Sequence, residues 1–334
     1  MDQRLVALTD WLAHETPINA QRIEPASQDA SFRRYFRVFS KAKQFVVMDA
    51  PPETERTQPF IDIAEQLKAL GLHAPAIYQS NKQQGFILLE DLGTRTYLDE
   101  LREPDEFHEH TNKLYSDAID AMIILQTSVE KQGKYHPPKY DAEMLQQEMD
   151  LFRHWYLAKH LEVKLNESSH SIWLQTQQFL TSNCLQQPQT WVHRDYHSRN
   201  LMITNDNSPG IIDFQDMTLG PIAYDLASLL KDCYIEWPRE QQLKWLKQYH
   251  DKLNLVLGEQ TFTLEQLIRW FDLTGLQRHL KVLGIFCRLN YRDGKANYLD
   301  DLPLAAHYVL DVLPRYPELD AFDTHFRRLI ERSI

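Results

Sequence analysis

The stretch that most limits what this chain can become lies between residues 190 and 216, where TWVHRDYHSRN, LMIT, NDNSPG and IIDFQD follow one another. NLMIT and GIIDF are short apolar runs of strand type. NDNSPG between them is a strong turn, since Asn, Asp, Pro and Gly each favour a chain reversal for their own steric or hydrogen-bonding reason. The spacing predicts a hairpin that returns Asp213 beside Asn200 and Asp195. Three acidic or amide side chains on one rim repel or desolvate one another unless a cation or a substrate proton sits among them. An amide with a carboxylate suits Mg²⁺ that is also held by phosphates, which leaves Asp195 to receive a proton.

Around this stretch the periodicity changes along the chain. SFRRYFRVFS and QFVVMDAPP are rich in aromatic and β-branched residues and flank a polar KAK turn, the pattern of an antiparallel hairpin. In PFIDIAEQLKALGL, residues Phe60, Ile63, Ala64, Leu67 and Leu70 share one helical face, and Gly71 stops it. GFILLEDLG then reads as a buried strand. After Gly93 helical spacing dominates, as in Leu145, Met149, Phe152 and Tyr156, or in the capping box of Thr263 and Gln266. A chain of 334 residues, 43% apolar, can bury a large core, and that size usually splits into two lobes. The N-terminus has helical spacing but lacks the apolar centre of a signal peptide, and no apolar run approaches a membrane span, so the cytoplasm is expected. Three scattered cysteines argue for plain buried residues rather than disulfides or a thiolate metal site. A formal net charge of −11, with no basic run interleaved with aromatics, weighs against nucleic acid.

HRDYHSRN fits H-R-D-x-x-x-x-N, and DFQ stands where a D-F-G would, so the stretch resembles the protein-kinase catalytic loop and metal motif. With GPIAYDLASLL it resembles the aminoglycoside-phosphotransferase-like branch of that fold. QDASFRRYFRV, VVMDAPP, FILLEDLGTRTYL and QRHLKVLGIFCRLNYRDGK are similar to the anomeric kinases of cell-wall amino sugars, which act on N-acetylmuramic acid and N-acetylglucosamine. The resemblance implies an α+β, bilobal, protein-kinase-like fold. A small antiparallel-sheet lobe with one main helix would occupy residues 1–89, a hinge 90–92, and a larger, mostly helical lobe 93–334. It implies ATP as co-substrate and Mg²⁺ on Asn200 and Asp213, with Asp195 as the catalytic carboxylate. Glu90 and Leu92 would hold adenine through their backbone, with Ser31, Arg34 and Glu65 also on the nucleotide. His193 and Asp225 would brace the catalytic loop, and Arg199, Asp216 and Arg288 would touch the acceptor. Neither a membrane nor a nucleic acid is an implied partner, while a sugar-phosphate nucleotidyltransferase is an implied pathway neighbour.

The chain departs from the kinase pattern in ways that matter. Its first glycine is Gly71, so SQDASFRRYFRV must cover the phosphates without a glycine-rich loop. Strand alternation puts Arg34 with Phe36 and Val38, which suggests an apolar roof over adenine with Arg34 at the phosphates. Met48 stands where a strand lysine is usual, and an arginine of the first hairpin is the expected substitute. Only DMTLGPIAY separates Asp213 from the helix at Asp225, which leaves no platform for a peptide acceptor and no phosphorylated loop for Arg194, read instead as a loop-bracing ion pair. Asp225 can equally be a helix N-terminal charge. His193 and His197 are read as packing rather than metal ligands, for want of a third ligand at spacing. Arg278, Lys281, Arg288, Arg292 and Lys295 suit an anionic group such as a lactyl carboxylate, or a solvated helix face. Rival readings are a kinase of another small alcohol, such as an aminoglycoside or choline, and a nucleotide-binding pseudokinase.

Overall fold

Asp2 accepts hydrogen bonds from the Arg4 and Leu5 amides, both at 3.1 Å, and so starts helix α1 (Gln3–Glu15). The computed structural model describes residues 2–28, 32–41, 43–102, 107–128, 134–258 and 260–334. After α1 come β1 (Ala20–Gln28), β2 (Arg34–Ser40), β3 (Gln44–Asp49), α2 (Thr57–Ala69), β4 (Ile77–Asn81), β5 (Phe86–Glu90), α3 (Tyr97–Leu101) and α4 (Phe107–Gln126). Next are α5 (Ala142–Leu151), which runs on as a π-helix over Phe152–His160, then α6 (Glu167–Leu185), β6 (Gln189–Val192), β7 (Leu201–Met202), β8 (Gly210–Ile211) and β9 (Thr218–Pro221). The chain closes with α7 (Ala223–Leu230), α8 (Arg239–Leu257), α9 (Leu264–Asp293), α10 (Leu302–Val312) and α11 (Asp320–Ile330). Two compact units result. One comprises Met1–Glu103, Lys131–His136 and Asn200–Gln215, and the other Pro104–Glu130, Pro137–Arg199 and Asp216–Ile334.

In the first unit five antiparallel strands run in the order β1-β2-β3-β5-β4. Phe36 lies opposite Val47, and Val47 opposite Leu88, so one face carries Phe36, Val38, Phe45, Val47, Phe86 and Leu88. Leu8, Trp11 and Leu12 of α1 pack on that face. Burying each large apolar side chain there contributes roughly 1.5–3 kcal/mol. The expected adenine roof of Phe36 and Val38 is therefore corrected, because α1 already covers their face. Arg34 shares it, and its guanidinium donates to Asp2 and to Asp49, with Nε 3.0 Å from Asp49 Oδ2. Asp49 is fully buried and also accepts from Arg4 at 2.8 Å. Arg34 is thus committed to closing the sheet onto α1.

The second unit is built around α9, whose Thr263 and Gln266 form the anticipated capping box. Leu145, Met149, Phe152 and Tyr156 are all fully buried. A β-carbon on Gly284 would stand 2.2 Å from the Leu151 carbonyl carbon, so only glycine lets α9 lie against the backbone where α5 becomes the π-helix. The three cysteines are free and buried. Among the described residues, no helix is long and apolar enough to cross a membrane.

Candidate active site

The sheet unit contributes a carboxylate and an amide. β7 and β8 pair Leu201 with Ile211 and Met202 with Gly210, and the Ile212 amide donates to the Asn200 carbonyl at 3.1 Å. This closes the loop, placing Asn200 Nδ2 at 3.4 Å from Asp213 Oδ2. Gln215, standing where the usual motif has glycine, donates to Asp213 Oδ1 at 2.8 Å. Asp213 adopts a left-handed backbone (φ 62°), while Phe214 is buried against Phe60 of α2, ring centroids 4.8 Å apart. The backbone strain is held by that buried ring. Among the described residues no group of three or more His, Cys, Asp or Glu side chains could cage a metal. One carboxylate with one amide oxygen instead matches a Mg²⁺ ion that takes its remaining ligands from phosphates and water.

The other expected nucleotide residues of this unit are placed as follows. Ser31 lies outside the described residues. The Glu90 amide is committed to the Ala76 carbonyl at 2.8 Å, and the Glu90 carboxylate accepts from the Ala76 amide at 3.1 Å. Leu92 packs close to Gly210. Glu65 is exposed and pairs with Lys134 at 3.3 Å. Met48 is buried between Tyr35 and Ile87 on the face away from α1, a face it shares with Arg37. Arg37 donates to Asp91 (2.6 Å) and to the Gly93 carbonyl (2.8 Å).

The helical unit contributes Asp195 in a braced loop. The Asp225 carboxylate accepts from the amides of His193 (2.7 Å) and Arg194 (3.0 Å), so Asp225 is more than a helix-terminal charge. Burial pushes its carboxyl up to about 6, against the pull of His193 and those two amides. Asp232, also fully buried, accepts from the Ser198 amide at 2.9 Å and the Tyr234 amide at 3.0 Å. Arg194 pairs with Glu148 and has a left-handed backbone, φ 76°. His193 and His197 are buried and set edge-on to Tyr196 and Tyr234. Burial outweighs the carboxylates Asp232 and Asp195 and holds His197 down to about 4, a neutral imidazole at pH 7.

Asp195 opens onto a cavity of about 390 Å³. Burial opposes its ionisation, yet the charges of Lys281, His197, Arg278 and Arg194 prevail and hold its carboxyl at about 2. Lys281 lies 2.9 Å from Glu148 Oε1 and 3.1 Å from the Tyr224 hydroxyl. Tyr234, Phe286 and Tyr298 form an aromatic part of the wall. Of the basic run on α9, Arg278 and Lys281 are buried in this wall, Arg288 also lines it, and Arg292 instead turns out to Asp293. Asp216 lines the cavity at its exposed rim, while Arg199 covers the Tyr234 ring at 3.5 Å and lies 3.8 Å from Asp301. Reading the sequence missed Glu148, Asp232 and Tyr298, which carry no motif. KDCY, next to GPIAYDLASLL, was the only local hint of Asp232.

Residues 22–262 match the Phosphotransferase enzyme family. The chain is 38% identical over 328 residues to the N-acetylmuramate/N-acetylglucosamine kinase of Pseudomonas putida, covering 95% of this chain and 94% of that one. It is 42% identical over 295 residues to the protein of the same name from Pseudomonas aeruginosa, covering 88% and 85%. Its fold is similar to that of choline kinase LicA from Streptococcus pneumoniae, with a TM-score of 0.64 at 12% identity over 95% of this chain and 100% of that one. A carboxylate and amide suited to a phosphate-bound cation, a braced ionised aspartate over a cavity, and these matches agree: the chain belongs to the Phosphotransferase enzyme family and is an ATP-dependent phosphotransferase of kinase-like fold.

Proposed function

We propose that this enzyme phosphorylates the anomeric hydroxyl of N-acetylmuramate or N-acetylglucosamine with Mg·ATP, in cytoplasmic salvage of cell-wall sugars. The observation that carries this is the cation-rich cavity at Asp195 in a chain that matches two amino-sugar kinases over most of its length. Residues 1–89 form the nucleotide lobe and 93–334 the acceptor lobe, with the backbone at Glu90 and Leu92 as the adenine contact. Asn200 and Asp213 hold the ion, which when bound neutralises phosphate charge. Asp195 orients the acceptor hydroxyl and takes its proton as the new oxygen–phosphorus bond forms and ADP leaves. Because its carboxyl sits at about 2, Asp195 stays ionised and is a weak base. That suits an acidic anomeric hydroxyl and a late proton transfer in a loose transition state. Arg288, which lines the cavity, pairs with the lactyl carboxylate of N-acetylmuramate on this reading, charge-assisted contacts being the stronger kind. A nucleotidyltransferase acting on sugar 1-phosphates would consume the product.

Aminoglycosides and choline, being cationic, would meet four cations in this wall, Arg194, Arg278, Lys281 and Arg288, against three carboxylates, Glu148, Asp195 and Asp216. The decisive assay uses methyl glycosides of both sugars, which block the anomeric oxygen and leave the other hydroxyls free. The expected result is ADP release with free sugars and none with the glycosides. Equal turnover of both would remove the anomeric assignment, and ATP binding without transfer to any sugar would point to a pseudokinase.

A further inference from the structure

The cations around the cavity are not equally committed. Arg194 and Lys281 share the Glu148 carboxylate. Arg278 is only 3% exposed, yet no carboxylate of the described residues lies within ion-pair distance of it, and its hydrogen bond goes to the Cys233 sulfur at 3.2 Å. A thiol takes one of its five N–H donors and offers no charge. The Asp195 carboxylate helps to hold its charge from beyond ion-pair distance, which leaves the planar fork of N–H donors without a carboxylate in contact.

Where an anion would meet that fork follows from helix geometry. Arg278, Lys281, Ile285 and Arg288 are spaced three or four residues apart and line the cavity along one stripe of α9. At 1.5 Å of rise per residue, Arg278 and Arg288 are about 15 Å apart along the axis. With Arg278 held at Cys233, one acceptor carboxylate does not serve both ends. Arg278 lines the same cavity as Asp195 and its charge acts on the Asp195 carboxyl, so Arg278 lies toward the reacting end. The group at that end is a neutral hydroxyl before transfer and a phosphate ester after it.

We propose that Arg278 is the recognition residue for the phosphate of the sugar 1-phosphate product, a second cationic station distinct from Arg288. This rests on the amino-sugar reading above for the identity of the sugar, but not for the anion. In the nucleotide-free enzyme, calorimetric titrations with N-acetylglucosamine, N-acetylglucosamine 1-phosphate, N-acetylmuramate and inorganic phosphate test it. Arg278→Met should weaken the 1-phosphate by about 30-fold or more, the usual loss when one partner of a buried charge pair is truncated, while leaving N-acetylglucosamine nearly unchanged. Arg288→Ala should leave the 1-phosphate untouched and weaken N-acetylmuramate. If Arg278→Met does not fold, Arg278→Lys keeps the charge without the planar fork and should show a smaller loss confined to the phosphorylated ligand. Equal losses for the sugar and its 1-phosphate, or a loss confined to N-acetylmuramate, would overturn the assignment. If the wild type binds neither sugar, the amino-sugar reading fails by itself. Arg278-dependent binding of inorganic phosphate would then uphold the anion site, and no such binding would overturn it.

Discussion

In the sheet unit, buried Asp49 is closed off by Arg4 and Arg34, whereas Asp213 accepts from the neutral side-chain amides of Asn200 and Gln215. In the helical unit Asp195 is surrounded by charges that are themselves fixed: Glu148 holds Arg194 and Lys281, and Asp225 and Asp232 hold the loop backbone. The difference separates two tasks. On the function proposed above, neutral amide donors at Asp213 are exchanged for an ion that comes and goes with the nucleotide. A carboxylate that must stay ionised and oriented through the reaction needs dipoles and charges set in place beforehand.

The largest expected effect tests the fixed half. Asp195→Asn should lose roughly 10²–10⁴ in turnover, the usual share of a positioned base, with ATP affinity retained. Steady-state kinetics beside a nucleotide titration measure both, and near-normal turnover would place the base elsewhere. Asp213→Ala tests the exchangeable half. It should abolish the Mg²⁺-dependent part of nucleotide binding in calorimetry, because the one carboxylate of the pair is gone. Affinity that remains metal-dependent would remove Asp213 from the site.

Glu148→Ala sharpens the contrast by acting on stability. It leaves Arg194 and Lys281 buried without their shared partner, and should cost about 3–5 kcal/mol in denaturant unfolding. A loss near zero would mean the network is not prearranged. The smallest effect is one of pH. Asp225 has its carboxyl raised to about 6, so its contribution is present at low pH and fades as pH rises from about 4 through 6. His197, lowered to about 4, contributes above its ordinary value and loses that as pH falls from about 6.5 to 4. The two slopes oppose each other. His197→Gln should therefore lose about 2 kcal/mol more than wild type on going from pH 4 to 6, and Asp225→Asn should gain by a similar amount. Unfolding curves at both pH values check this, and parallel behaviour of all three proteins would refute it.

Much of the fold was legible because it is written in local periodicity. The β2–β3 hairpin, α2, β5 and the capping box of α9 follow from residue spacing, and the β7–β8 turn follows from NDNSPG. β1 and β4 were not read, since AQRIEPASQ and IYQSN alternate weakly and gain strand form from their neighbours.

By itself the sequence determined which residues stand in the kinase motif, because Asp195, Asn200 and Asp213 lie within nineteen residues at intervals set by one loop and one hairpin. Only the tertiary structure decided which face of the sheet α1 covers, and it turned Arg34 from an expected phosphate contact into part of the α1 interface. Likewise it separated Arg278, Lys281 and Arg288, in the cavity wall, from Arg292 at the surface. Neither outcome is local. Strand and helix periods say which residues share a face, but what covers that face, and which charges find partners there, depends on segments tens to hundreds of residues away, such as α1 for Arg34 and Glu148 for Lys281.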